Sequence, residues 1–341
     1  MIKKILTISL AIIVLVCIGI GLFIYSSVNK DIDEQFSGVC VDVPLPGSGE
    51  DLQIDRERQY AYVSTYDRLT VAQGGQAEPG TILRLDLGKS ETLIEKALID
   101  GPDLHPHGIS IFITSEGDRH LYVINHPKDR STGKEMIEHY VEVSPGEFKH
   151  LESFSDDLIT RGNDMVAVGA RKFYVAQDVE RGSGETLTQL IYFDGSEFRS
   201  VADDIESAGG INVSADGEKL YIAETGANRI RVAQRNLDGS IETIKNIDIG
   251  SAPDNIDIAE DGSLWVGTHS NVIALAMHFI MGIDAPTEIL RIDASQDNPK
   301  IEEIYINGGK EISAGSGGAT LGKKLMIGSI TASKVLLCEM E

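Results

Sequence analysis

Basic residues are the first shortage. The chain of 341 residues holds 30 Lys and Arg against 53 Asp and Glu, a formal net charge of −23 and a pI of about 4.7. A folded domain with this balance repels nucleic acid and anionic lipid headgroups, and divalent cations are its more natural partners. The plainer alternative is an acidic face that only water contacts. Cysteine is scarce as well, at three residues, and leaves no Cys/His cluster spaced for zinc. There is no Gly-rich phosphate loop and no G-x-S-x-G nucleophile elbow. Disorder is excluded in turn, because 42% hydrophobic residues suffice for a large core in one domain or two.

One long apolar run stands at the N-terminus. Lys3 and Lys4 precede an uncharged segment, residues 5–25, after which Lys30 and three acids follow. The run matches the roughly 20 residues of a transmembrane helix and exceeds the core of a cleaved signal peptide. No A-x-A-like site follows it, and Val16 before Cys17 does not suit lipoprotein cleavage. Residues 1–30 therefore read as a signal anchor whose lysines stay in the cytoplasm, with residues 31–341 placed outside it. Beyond the anchor the only cysteines are Cys40 and Cys338, near the two ends of the exported part. They form one disulfide, as an oxidising compartment permits, or remain two unpaired buried thiols.

Helical periodicity is nearly absent from the exported part. Instead an apolar strand, a turn with Gly or charged residues, and a second strand recur in "IDRERQYAYVS", "ISIFITSEGDRHLYVI", "MVAVGARKFYVA", "INVSADGEKLYIA", "IDIAEDGSLWVG" and "GGATLGKKLMIG". Their spacing, roughly 45 to 60 residues, is near that of propeller blades. With 35 glycines and hairpin centres such as "ADGE" and "EDGS", the pattern predicts an all-β, six-bladed β-propeller preceded by one transmembrane helix. Cys40 and Cys338 would clasp the ring by tying its first strand to its last.

A propeller gathers the starts of its inner strands around one channel. Three of these starts carry adjacent acids or amides: Glu50 and Asp51, Asn163 and Asp164, Asp254 and Asn255. Such oxygens suit Ca²⁺ and are poor ligands for Zn²⁺. Each pair taken alone reads more simply as a turn or strand cap. Strand alternation predicts that Glu50 and Asp51 point to opposite sides. Four of the eight histidines crowd into "HPHGISIFITSEGDRHLYVINHP", residues 105–127, which reads as one hairpin.

These motifs carry a resemblance. "GEDLQI", "HPHGIS", "YVINHP", "GNDMVAVG", "GINVSADGEKLYIAE", "DNIDIAEDGSLWVG" and the closing "LLCEM" resemble the serum paraoxonase and arylesterase family of calcium-dependent lactonases, over nearly the whole exported part. The resemblance implies a six-bladed propeller with two calcium ions in its tunnel and a disulfide joining its ends. It implies that Glu50, Asn163, Asp254 and Asn255 bind a catalytic calcium, and that Asp51, Asp164 and the Ile109 carbonyl hold a structural one. It further implies that His107 and His126 are the active-site pair, which leaves His105 to the turn and His120 to the surface. An ester or lactone carbonyl polarised by the ion would be attacked by water, with His107 or Glu50 as base and Asn163 stabilising the oxyanion.

Two departures accompany the likeness. Where the family has a further calcium-binding Asn before "GIN", this chain has Gly209, so that either a water completes the shell or the protein has drifted from the family's chemistry. Where the family has a long apolar lid helix, the chain has the short polar "VERGSGETLTQ". The apolar "NVIALAMHFIMG" after His269 faces the membrane or the mouth, or else is blade core. The expected activity is membrane-anchored, calcium-dependent hydrolysis of lactones and aryl esters, on small molecules and not on nucleic acid. The alternatives are a gluconolactonase-type sugar-lactone hydrolase and a non-catalytic ligand-binding propeller.

Overall fold

The apolar runs fold as strands and the Gly-containing turns as the bends between them. Gly217 in "ADGE" and Gly262 in "EDGS" have φ of 74° and 80°, a left-handed conformation that glycine adopts without steric cost. A computed structural model describes residues 2–89, 93–130, 132–180 and 182–341; for residues 2–8, 10 and 11 it describes the backbone alone.

Six antiparallel sheets follow one another along the chain. The inner strands are Ser48–Asp55, Pro106–Ile113, Gly162–Gly169, Ala208–Val213, Ala252–Ile258 and Gly315–Leu321. Each inner strand packs beside the next, and the sixth returns to the first, so the sheets close as a six-bladed ring. The hydrophobic core is correspondingly divided into six clusters, one wedged between each pair of neighbouring blades. Val63, Leu85, Met326 and Val335, all fully buried, form part of the wedge that joins the sixth blade to the first. At about 1.5–3 kcal/mol for each fully buried large aliphatic side chain, such wedges hold the blades radially.

The ring is fastened by its ends. The N-terminal strand Gly38–Pro44 forms the outer edge of the sixth blade and pairs with Lys334–Met340, the last strand of the chain. Cys40 and Cys338 lie directly opposite in that pairing, with Cα atoms 3.9 Å apart, and are joined by a disulfide. The two-thiol alternative is thereby removed, and the free cysteine is Cys17.

Among the described residues three α-helices interrupt the β pattern: α1 (Ile2–Val28), α2 (Arg68–Ala72) and α3 (Val272–Met281). The transmembrane reading of α1 is not carried by the described residues, among which no helix is long and apolar enough to cross a membrane. Apart from Ser9, the described side chains of α1 run only from Ile12 to Val28, short of the roughly 20 residues a span requires. The side chains of Lys3 and Lys4, and the start of the apolar run, lie outside the described residues. The segment after His269 is not blade core: α3 leaves Val272, Ile280 and Met281 exposed. It packs against α1, and Asn271 donates from Nδ2 to the Ser27 carbonyl at 2.8 Å.

Candidate active site and metal centre

All six inner strands are bulged near their first residues. The pairing slips between Gly49 and Leu52, Pro106 and Ile109, Gly162 and Asp164, Ala208 and Gly210, Pro253 and Ile256, and Gly315 and Gly318. A bulge sets extra residues against one partner and re-aims the side chains there. Glu50 and Asp51 both lie within such a bulge. Both are buried, at 1% and 2% exposure, and the charge of Asp51 adds to the forces that keep Glu50 protonated.

The bulges bring Glu50, Asp254 and Asn255 together. Asn255 donates from Nδ2 to Glu50 Oε1 at 2.9 Å and to the Glu50 carbonyl at 3.1 Å, which binds the fifth blade to the first. Asp254 Oδ2 lies 3.1 Å from His269 Nε2. Among the described residues, three of the buried oxygens without a hydrogen-bond partner belong to the predicted ligands: Glu50 Oε2, Asn163 Oδ1 and Asn255 Oδ1. An orphaned buried oxygen costs about 1–3 kcal/mol, and a hard cation with six to eight oxygen ligands is the partner this donor set fits. Among the described residues no group of three His, Cys, Asp or Glu side chains is gathered for a metal. Two of the four members here are amides.

The deeper carboxylates hold the blades. Asp51 accepts from Leu52 N at 2.7 Å and from Ile109 N at 2.6 Å on the second blade. Asp164 accepts from Met165 N at 2.7 Å and from Ile211 N at 2.8 Å on the fourth. Ile109 meets Asp51 through its amide. Gly108 lets the second blade approach the third here, because a Cβ there would stand 2.5 Å from Asp164 Cα. Burial pushes Glu50 up to about 8 and Asp51 up to about 7, and raises Asp164 well above the usual carboxylate range. Such a cluster needs protons or a cation to remain folded.

His107 and His126 meet as the hairpin reading requires. His107 Nδ1 lies 2.8 Å from His126 Nε2, and His126 Nδ1 lies 2.5 Å from Glu135 Oε2. The carboxylate accepts, so His126 carries its proton on Nδ1 and accepts on Nε2 from His107 Nδ1–H. His107 Nε2 is left as a lone pair 3.5 Å from Glu50 Oε2. Burial, reinforced by neighbouring positive charge, holds both imidazoles well below the ordinary histidine range. His105 secures the hairpin end, its Nδ1 lying 2.9 Å from the His126 carbonyl and its ring against Tyr66. His120 is not a plain surface residue: its Nδ1 lies 2.8 Å from Nε2 of the buried His139.

The space beside Gly209 is filled by protein. A Cβ on Gly209 would lie 2.6 Å from Thr225 Oγ1 and 2.8 Å from Asp254 Oδ1, and Thr225 itself donates to the Pro253 carbonyl. The Thr225 hydroxyl thus stands where a side chain at position 209 would begin. Sequence reasoning also missed Glu135, His269 and Arg68. Arg68 reaches in from α2, Nη1 donating to Ser48 Oγ at 3.1 Å and Nη2 donating to the Pro106 carbonyl. Nothing in the spacing of "STYDRLT" marks that arginine as pointing inward.

Known proteins share this architecture. A solved luciferin-regenerating enzyme superposes with a TM-score of 0.55 at 15% identity, covering 89% of this chain and 95% of its own. Regucalcin from Agrobacterium tumefaciens, a calcium-binding protein, gives 0.52 at 12% identity, over 90% and 96%. At these identities the likeness is one of fold. In sequence, serum paraoxonase/arylesterase 1 of Homo sapiens is 32% identical over 280 residues, and serum paraoxonase/arylesterase 2 of Gallus gallus 30% over 282, each match covering 77% of both chains. The arylesterase family model matches residues 70–340. From the ring to the paired imidazoles, the chain belongs to the arylesterase family, whose named members are esterases and lactonases.

Proposed function

We propose that the chain is a calcium-dependent hydrolase of lactones and aryl esters. The observation that carries this reading is the orphaned Oε2 of Glu50 beside the free lone pair of His107, with Asn255 bonded to the same carboxylate and its own Oδ1 unpartnered. Glu50, Asn163, Asp254 and Asn255 would hold a catalytic ion, and Asp51, Asp164 and the Ile109 carbonyl a structural one. When bound, calcium supplies Lewis acidity towards the ester carbonyl.

The protein's own groups do the rest. Glu135 holds the proton on His126 Nδ1, His126 holds that on His107 Nδ1, and His107 Nε2 accepts a proton from the attacking water. The low proton affinity of both imidazoles keeps them neutral, and so available, near pH 7. Asn163 Nδ2 donates to the carbonyl oxygen as it becomes negative.

The same reading places residues 31–341 outside the cytoplasm, with residues 1–30 as the anchor. The uncharged run of residues 5–25, the exposed Leu15, Leu22 and Phe23 on α1, and the neighbouring apolar face of α3 support the anchor. The Cys40–Cys338 disulfide supports an oxidising compartment.

The test is turnover of aliphatic lactones, aryl esters and gluconolactone by the full chain in detergent, with and without a calcium chelator. Chelator-sensitive hydrolysis of the first two classes is expected. Turnover untouched by complete chelation would remove the calcium reading. Faster turnover of gluconolactone would favour a polar sugar lactone, as the short polar "VERGSGETLTQ" segment suits.

A further inference from the structure

In a chain so poor in basic residues, three arginines bear on one pair of imidazoles. Arg68, Arg130 and Arg161 all lower the proton affinity of His107 and of His126. Two of them are answered by carboxylates. Arg130 donates from Nε to Glu135 Oε1 at 2.8 Å, and Arg161 donates from Nε to Asp178 Oδ1 at 3.0 Å.

Arg68 is not answered in this way. Its side chain is 12% exposed, and among the described residues its hydrogen bonds go to neutral oxygens: the Ser48 carbonyl and hydroxyl and the Pro106 carbonyl. The nearest carboxylate oxygen, Glu50 Oε2, is 3.9 Å from Nη2, beyond hydrogen-bond reach. A buried charge without a bonded counterion is costly. A dication would make the imbalance plain. With a second ion balancing Asp51 and Asp164, it would neutralise Glu50 and Asp254, and with Arg130 and Arg161 already paired, the guanidinium of Arg68 would remain as an uncompensated charge beside them. Bridging Ser48 and Pro106 accounts for its hydrogen bonds and not for its charge. A guanidinium fork matches a carboxylate or phosphate in shape and sign.

We propose that Arg68 is a specificity residue that pairs with an oxyanion on the substrate, so that the esters or lactones turned over here carry a carboxylate or phosphate close to the scissile carbonyl. This rests on the hydrolase reading above.

The experiment compares a neutral lactone with its carboxylate-bearing and phosphate-bearing counterparts at saturating calcium, in the wild type, Arg68→Gln and Arg68→Lys. The wild type should prefer at least one charged member, and that preference should shrink with added salt. In Arg68→Gln the charged-to-neutral ratio of kcat/KM should fall about tenfold or more, as for loss of a charge-assisted hydrogen bond, chiefly through KM. Arg68→Lys should restore part of it. An equal ratio in the wild type and Arg68→Gln, whatever the absolute rates, would overturn the proposal. Should Arg68→Gln not fold, a wild type without preference for either charged member overturns it alone. Calorimetric binding of a carboxylate-bearing lactam, which resists hydrolysis, separates the two readings. Arg68-dependent binding without any turnover defeats the hydrolase and keeps the anion site; turnover with Arg68-independent binding does the reverse.

Discussion

The hydroxyl of Thr225 stands where a side chain on Gly209 would have to go, 2.6 Å from the position of its Cβ. The two residues are therefore coupled, and changing either alone leaves a clash or a gap. Gly209→Asn should destabilise the chain by about 1–3 kcal/mol through overpacking. Gly209→Asn combined with Thr225→Gly should recover much of that loss. Thermal melting of the two variants checks the coupling, and additive losses would refute it.

Glu135 sets the tautomers of the imidazole pair. Glu135→Gln removes the acceptor that holds the His126 proton on Nδ1, so turnover should fall about 10²-fold or more, in kcat rather than KM. His107→Gln should cost at least as much. Steady-state kinetics on one neutral ester decide the matter; a Glu135→Gln enzyme of normal kcat would show that the proton does not travel by His107.

The disulfide predicts both a thiol count and a stability. Under non-reducing denaturation the full chain should titrate one thiol, that of Cys17. Cys40→Ala should preserve the strand content by circular dichroism while costing about 2–5 kcal/mol. Two or more reactive thiols in the unreduced chain would contradict the clasp.

Calcium removal should make stability depend on pH with a definite sign. Burial raises Glu50 from 4.5 to about 8 and Asp51 from 3.8 to about 7. These groups bind protons more tightly when folded, so they favour the fold at low pH, and that contribution is lost as pH rises through 7 to 8. His107 and His126, lowered from 6.5, act in the opposite sense, but only below that value. From pH 6.5 to about 8 the Tm of the chelated chain should drop by a few degrees. Calcium should restore more of it at the upper end of that interval. A calcium gain of equal size at both ends would mean that these carboxylates are not its ligands.

The blades were legible because their signals are local. An Asp-Gly turn at positive φ leaves its mark in two letters, as at Gly217 and Gly262. Pairs such as Asp254 and Asn255 stand side by side in the chain. What was not legible depends on how the backbone bends or who arrives from elsewhere. The bulge between Gly49 and Leu52, which holds Glu50 and Asp51, has no residue signature. Arg68 comes in from α2, Glu135 from the approach to the next strand, and Thr225 from a neighbouring hairpin. α3 escaped notice because its ten residues are apolar on nearly every face, which leaves helix and buried strand indistinguishable by period.

Pairing the strand Gly38–Pro44 with Lys334–Met340 also imposes an order on biosynthesis. The first strand of the ring emerges from the ribosome early and finds its partner only when the last residues follow. At about 5–20 residues per second, the 298 residues between the two cysteines take roughly 15–60 s to make. For that interval five blades can assemble while the nascent chain keeps an unpaired edge at each end of an open arc. Truncations that remove only the last strand should therefore expose two sticky edges at once, and favour joining to other chains over closure.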